Sequence, residues 1–228
     1  NSIPSFLPGL KVAVFHGFDA GKLDRKGNND HFKIRGCFDL YCTQGPSTTA
    51  KFKELQEIYQ YFNVIETGWP ALDKLFTYIT NKAKNTRPVI FYGSTFSKRL
   101  THDMLPILQE ADIMVGDTSS ALTMFIVQNK PVVTVNNIDP KPYMLNITTA
   151  EKLQFTIEKA LSLPPDLMHE IASYVSETHP YTDGKSADRV VDAIDGVLAG
   201  QFPLKIKKPL NFVRDLKFRK YLNYWKFT

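Results

Sequence analysis

Short runs of apolar residues alternate along this chain with stretches whose apolar positions recur every three or four residues. KVAVF (11–15) and CFDLYC (37–42) read as buried strands, each stopped by a polar turn, HGFDAGK and TQGPS. KFKELQEIYQYF (51–62) places Phe52, Leu55, Ile58, Tyr59 and Phe62 on one helical face. Asn63 is the expected end of that helix, before a short strand VIET (64–67), and GWP (68–70) bends the chain.

The second half repeats the grammar. RPVIFYGSTF (87–96) and ADIMVGDTSS (111–120) each read as strand then turn, ALTMFIVQN (121–129) as a helix and PVVTVNN (131–137) as a strand. TTAEKLQFTIEKALS (148–162) predicts a helix with Thr148 as N-cap and Glu151 completing a capping box, stopped by Pro164 and Pro165. SADRVVDAIDGVLAG (186–200) predicts a late helix with Ser186 at its start and Gly200 beyond its end. Strands alternating with helices imply an α/β fold with parallel sheet covered on both faces.

Composition narrows the class. Of 228 residues 43% are hydrophobic and 22% charged, which suits a packed globular core rather than a disordered chain. No run approaches the roughly 18 apolar residues of a membrane-spanning helix. The opening NSIPSFLPGL has no basic region before an apolar one, so no signal peptide is predicted there. Cys37 and Cys42 are too few for a disulfide scaffold or a four-cysteine zinc site, and a reducing compartment is expected. The net charge of +5 conceals an asymmetry, because residues 205–228 hold eight basic residues against Asp215 alone. The rest is mildly acidic, which argues against a nucleic-acid binder.

Chemistry concentrates in loops that follow strands. In ADIMVGDTSSALTMF, Asp117, Thr118, Ser119 and Ser120 stand where a strand passes into a helix, a place suited to phosphate and equally to ordinary helix capping. In VAVFHGFDAGK, His16 and Gly17 follow a strand end, so the imidazole can take a proton from an acceptor hydroxyl or serve as a loop hydrogen-bonder. Gln44 and Gly45 of RGCFDLYCTQGP are either cleft-lining or turn residues, and Gly68-Trp69-Pro70 is either a cleft edge or a bend. Ser94 and Thr95, with Lys98 and Arg99 just beyond, are further cleft candidates, the two cations as counter-charges to phosphate or as a solvated pair.

HGFDAGK, RGCFDLYCTQGP, VIETGWPALDKL, PVIFYGSTFSKRL, EADIMVGDTSSALTMF with NKPVVTV, and DGKSADRVVDAI follow one another as in the CDP-glycerol glycerophosphotransferase family, which this chain resembles over most of residues 10–200. The resemblance implies a GT-B-like fold, two Rossmann-like domains facing a cleft, with no cofactor and no metal. It implies transfer of glycerol phosphate, or a related polyol phosphate, from a CDP-linked donor to a teichoic-acid-type polymer or its lipid-linked primer. By resemblance His16 is the base, and Asp117, Thr118, Ser119 and Ser120 hold the donor phosphates. The expected organisation is residues 1–63 as the remainder of an N-terminal domain, 64–200 as the donor-binding domain and 201–228 as a basic tail.

The pattern departs from the family in three places. A strand ending in His-Pro normally separates the PVIFYGSTFS-type unit from the DTSS unit. Here the join is short, with missing residues expected near 97–104, and neither His102 nor His179 stands in for that histidine. Only two strands precede the second half, so the N-terminal sheet is expected to be incomplete. Met124 occupies a position where relatives often carry an acid.

In the tail, basic residues interleave with Leu210, Phe212, Val213, Leu216, Phe218, Tyr221, Leu222, Tyr224 and Trp225. That pattern suits a helix on an anionic membrane surface, or one whose apolar face packs on the protein. The expected location is therefore cytoplasmic and peripheral, on the inner face of the cell membrane. Rival readings are a sugar-nucleotide GT-B glycosyltransferase or UDP-N-acetylglucosamine 2-epimerase-like enzyme, and a non-catalytic GT-B module. Both enzymes commonly place a glutamate in the helix after the DTSS loop, and ALTMFIVQN has none.

Overall fold

The computed structural model describes residues 3–19, 23, 26, 27, 29–77, 87–93 and 104–225. Two all-parallel sheets organise them. The first has strand order β1 (Val12–Val14), β2 (Leu40–Thr43), β3 (Asn63–Glu66), and the second β4 (Ile90–Gly93), β5 (Ile113–Gly116), β6 (Val132–Val135), β7 (Leu145–Ile147).

Helix α1 (Pro46–Tyr59) carries the crossover from β2 to β3 and covers one face of the first sheet. Tyr41 and Val64, partners in register, meet Phe52 of α1 and Phe62 there. The alternate residues Leu40 and Cys42 point the other way and meet Val190 and Ala193 of α7 (Ser186–Leu198). The α1 helix starts at Pro46, earlier than its apolar spacing suggests, because Pro fits the first turn. It closes at Gln60 in the left-handed region (φ 59°), and Asn63 opens β3 instead of ending the helix.

The division expected after residue 63 therefore does not hold. A strand that returns from a crossover helix pairs beside the strand it left, so β3 joins the first sheet, and α7 comes back to that sheet from the far end of the chain. The α7 N-terminus is not capped by Ser186. Asp73, at the start of α2 (Asp73–Thr77), accepts from Ser186 N at 3.0 Å and Ala187 N at 2.8 Å. A carboxylate supplied by another element satisfies the free amides, and its charge complements the helix dipole.

In the second sheet, Met114 and Val132 face a core with Leu122 and Phe125 of α4 (Ser120–Ile126) and Leu167, Ile171 and Val175 of α6 (Pro165–Thr178). Val115 and Val133 face α5 (Leu153–Leu161). Helix α3 (Leu105–Glu110) lies in the β4–β5 connection, and those two strands pair directly despite the short join. Lys130 Nζ donates to the Leu108, Gln109 and Ala111 carbonyls, closing the C-terminal end of α3.

Three elements differ from expectation. Pro165 starts α6 rather than merely stopping α5, since its fixed φ suits a first helical turn. The expected capping box at Thr148 is absent, for α5 is entered through a 3-10 turn at Ala150–Lys152. Strand β7 is only three residues long with Asn146 at its centre, which hid it from the pattern.

Candidate functional site

The loop after β1 is pinned on both sides. Phe15 packs on the first core, stacking on the His31 ring at 4.8 Å and meeting Phe52 at 5.2 Å. Phe18 is buried in the second core, edge-on to Trp69 at 5.1 Å. His16 and Gly17, between these anchors, are held where the two units meet.

A cavity of about 500 Å³ opens at this place, lined by His16 and Gly17 on one side and by Ser120 on the other. His16 arrives from the carboxyl end of β1, Ser120 from the first residue of α4 after β5. Strand-end loops from two separate parallel sheets thus face one another, the usual location of a ligand cleft in open α/β sheets. His16 is exposed at this cavity.

The rest of the Asp117–Ser120 loop divides its duties. Ser119 is the N-cap of α4, its hydroxyl accepting from Ala121 N at 3.2 Å, so local capping occupies this side chain. Thr118 is exposed and Asp117 half-buried on the same loop. Ser94, Thr95, Lys98 and Arg99 lie outside the described residues.

Gln44 and Gly45 stand behind the cleft rather than along it. Gln44 is buried, and its Nε2 donates to the Gly17 carbonyl at 3.1 Å, fixing the turn that presents His16. Gly45 is the N-cap of α1, and a Cβ there would run into the carbonyl of Thr178 at the end of α6. Its glycine identity serves helix packing. Gly68-Trp69-Pro70 is likewise a junction, since Trp69 is buried and its backbone N donates to His179 Nε2 at 3.0 Å.

His179, the histidine of the downstream His-Pro pair, is fully buried between Phe18, Phe76 and Tyr181. Burial pushes its pKa down to about 4, so it is neutral at pH 7 and joins the units structurally. Tyr181 donates to Glu66 Oε1 at 2.7 Å, and burial with that bond raises its pKa to about 12. Both cysteines are buried free thiols, and burial raises Cys42 to about 12, which removes it as a nucleophile at neutral pH.

Sequence reasoning missed the other wall of the cavity. Asp19, Asp30, His31, Lys33, Arg35 and Tyr41 line it, most of them from the polar β1–β2 connection. The density of charge in NNDHFKIR was the available signal. Its meaning depends on the tertiary fold, which sets Asp30, His31, Lys33 and Arg35 around the same cavity as the end of β1.

The tail contains α8 (Phe212–Leu222), docked by polar groups. Asn211 Nδ2 donates to Gly36 O at 2.7 Å, Arg214 donates to the Arg35 carbonyl, and Asp215 accepts from Ser5 N at 2.9 Å. Arg219 covers the Phe6 ring at 4.1 Å. The expected alternative of an apolar face packed on the protein is not what forms. Phe212, Val213, Tyr221 and Leu222 are exposed, with Lys217 and Lys220 beside them, and no α8 residue is fully buried. No helix among the described residues is long and apolar enough to cross a membrane.

The chain matches no protein-family model and no curated protein. Solved structures do resemble it. A histidine-to-alanine variant of the wall teichoic acid polymerase TagF aligns over 88% of this chain and 72% of its own, with 13% identity and a TM-score of 0.60. A histidine-to-asparagine TagF variant soaked with CDPG covers 84% and 69%, with 13% identity and a TM-score of 0.57. A UDP-N-acetylglucosamine 2-epimerase covers 85% and 68%, with 11% identity and a TM-score of 0.50. This chain has a GT-B-like fold. In GT-B terms, the first sheet with α1 and α7 is one Rossmann-like unit, and the second sheet with α3 to α6 is the other.

Proposed function

We propose that this chain transfers glycerol phosphate, or a related polyol phosphate, from a CDP-linked donor to a cell-surface polymer or lipid-linked acceptor. The observation that carries the reading is the shared cavity of His16 and Ser120, which faces a proton acceptor from one sheet toward the helix-start loop of the other. In this reading His16 takes the proton of the acceptor hydroxyl, whose oxygen attacks the donor's β-phosphorus. CMP leaves, and the Asp117–Ser120 loop holds the phosphates as charge collects on their oxygens. The fold likeness to a polymerase solved with CDPG supports this donor class.

The tail supports a peripheral location as part of this reading. Exposed apolar residues on α8 interspersed with Lys217 and Lys220 support contact with an anionic bilayer, and in this reading the chain works beside a lipid-linked acceptor on the inner face of the cell membrane. The likeness to the epimerase would favour a sugar-nucleotide reading, yet the helix after the DTSS loop carries Thr123 bonded to Tyr174 and Met124 packed in the core, with no acid for a ribose.

The test is CMP release from CDP-glycerol with an acceptor present. The wild-type chain is expected to release CMP, and His16→Ala to lose release while still binding CDP-glycerol. Absence of release by the wild type refutes the transferase reading, and undiminished turnover by His16→Ala removes this residue from the mechanism.

A further inference from the structure

The wall of the cavity opposite Ser120 is built from the β1–β2 connection, and its chemistry differs from that of a phosphate site. It presents Asp19 and Asp30 together with Lys33 and Arg35, so formal charges cancel. Asp30 Oδ1 and Arg35 Nη2 form an ion pair at 2.8 Å, with the aspartate side chain half exposed and the arginine about a quarter exposed. Asn29 Nδ2 donates to Asp19 Oδ2 at 2.7 Å. A fixed carboxylate–guanidinium pair offers an acceptor and a donor side by side. Adjacent hydroxyls, each able to give and to receive a hydrogen bond, match that pair, whereas a wall whose charges cancel offers a phosphate no excess of positive charge.

The frame around the pair is rigid. His31 stacks on Phe15 and meets Phe32 edge-on at 5.1 Å, and its backbone N donates to Asn29 Oδ1 at 2.9 Å. Its Nε2 is buried with no hydrogen-bond partner, and burial lowers its pKa against the opposing pull of Asp19 and Asp30, with His16 adding to the lowering. His31 is therefore held neutral beside His16 and adds no positive charge to the cavity. The tail braces the same segment from behind, through Arg214 on the Arg35 carbonyl and Asn211 on the Gly36 carbonyl.

We propose that the Asp30–Arg35 pair is the acceptor subsite, taking the neutral, hydroxyl-bearing terminus of a polyol or sugar chain and directing one hydroxyl toward His16. This rests on the transferase reading above and names the acceptor side of that site. The ligand's phosphates belong on the Ser120 side, and the terminus enters past the segment that α8 supports.

The experiment uses the full chain and two readouts. Saturation-transfer NMR with glycerol as probe is expected to show binding by the wild type that inorganic phosphate does not displace. Asp30→Asn, which preserves side-chain size, and Arg35→Gln, which removes the guanidinium charge, should each weaken glycerol binding by about ten-fold or more, the loss expected for a hydrogen bond to a charged group. In the CMP-release assay the same variants should raise the acceptor KM by a similar factor, with kcat and CDP-glycerol affinity held. Glycerol binding indifferent to both substitutions, or its displacement by phosphate, overturns the subsite. Glycerol binding lost in the variants, with no CMP release by the wild type, sustains the polyol subsite and refutes the transferase reading alone. Turnover with an unchanged acceptor KM refutes the subsite alone.

Discussion

Gln44 holds Gly17: the side-chain amide at the end of β2 donates to the glycine carbonyl next to His16, across the gap between two strand-end loops. Both groups lie at the carboxyl edge of the same sheet, and Gln44 is almost fully buried. The turn that presents His16 is therefore set by a residue that does not reach the cavity.

Replacing that amide tests the arrangement. Gln44→Met keeps the volume and removes the donor, leaving the Gly17 carbonyl without this partner. The expected cost is about 1–3 kcal/mol in stability. Turnover should fall further than donor affinity, because His16, the proposed base, is displaced while the Asp117–Ser120 loop is untouched. Parallel urea melts and CMP-release assays check this, and turnover unchanged in a destabilised variant would show that Gln44 acts only on the fold.

Gly45→Ala probes helix packing. The added methyl meets the backbone carbonyl of Thr178, with no flexible side chain to yield. A loss of about 1–3 kcal/mol or more is expected, read as a lowered thermal midpoint. A midpoint within a degree of the wild type would mean that α1 and α6 are not packed as described.

His179 should make stability depend on pH. An unfolded histidine titrates near 6.5, and burial lowers the folded value to about 4. Between these values the unfolded chain binds more protons. Stability is thus fully present above about pH 6.5, lost as pH falls toward 4 and flat below, an effect of about 3 kcal/mol. His31, also lowered by burial, contributes with the same sign. His179→Gln, whose amide oxygen can still accept from Trp69 N–H, should flatten but not abolish the slope. Identical pH profiles of the thermal midpoint in the two proteins would exclude His179 as its source.

For the tail, binding to vesicles containing phosphatidylserine should weaken on Lys217→Glu and Lys220→Glu. Each lysine near an anionic surface contributes about 1 kcal/mol, so neutralising one weakens binding roughly five-fold and reversing it more. Cosedimentation at two salt concentrations is the measurement. Binding that ignores both substitutions and salt would leave the exposed apolar residues of α8 without their proposed bilayer.

What the sequence determined by itself was local. Alternating apolar runs and helical periodicities marked β2, β5, β6, α1 and α7, since burial on both faces of a parallel strand needs continuous apolar residues and a covering helix needs an apolar stripe; KVAVF marked β1 too, yet β1 is an edge strand with Val14 exposed rather than the buried strand expected. They also placed His16 and the Asp117–Ser120 loop at strand ends, where chemistry concentrates in such folds. What only the tertiary structure decided was which loops meet. Ser186 looked like its own helix cap, and Asp73 from a distant element does that work. Gln44 and Gly45 looked like cleft residues, and contacts with Gly17 and Thr178 set them behind it. The residues from Asp30 to Arg35 carried no periodic signal, because a loop's place is fixed by the strands it joins. Pairing and packing partners far apart in sequence depend on the whole core, and no local pattern encodes them.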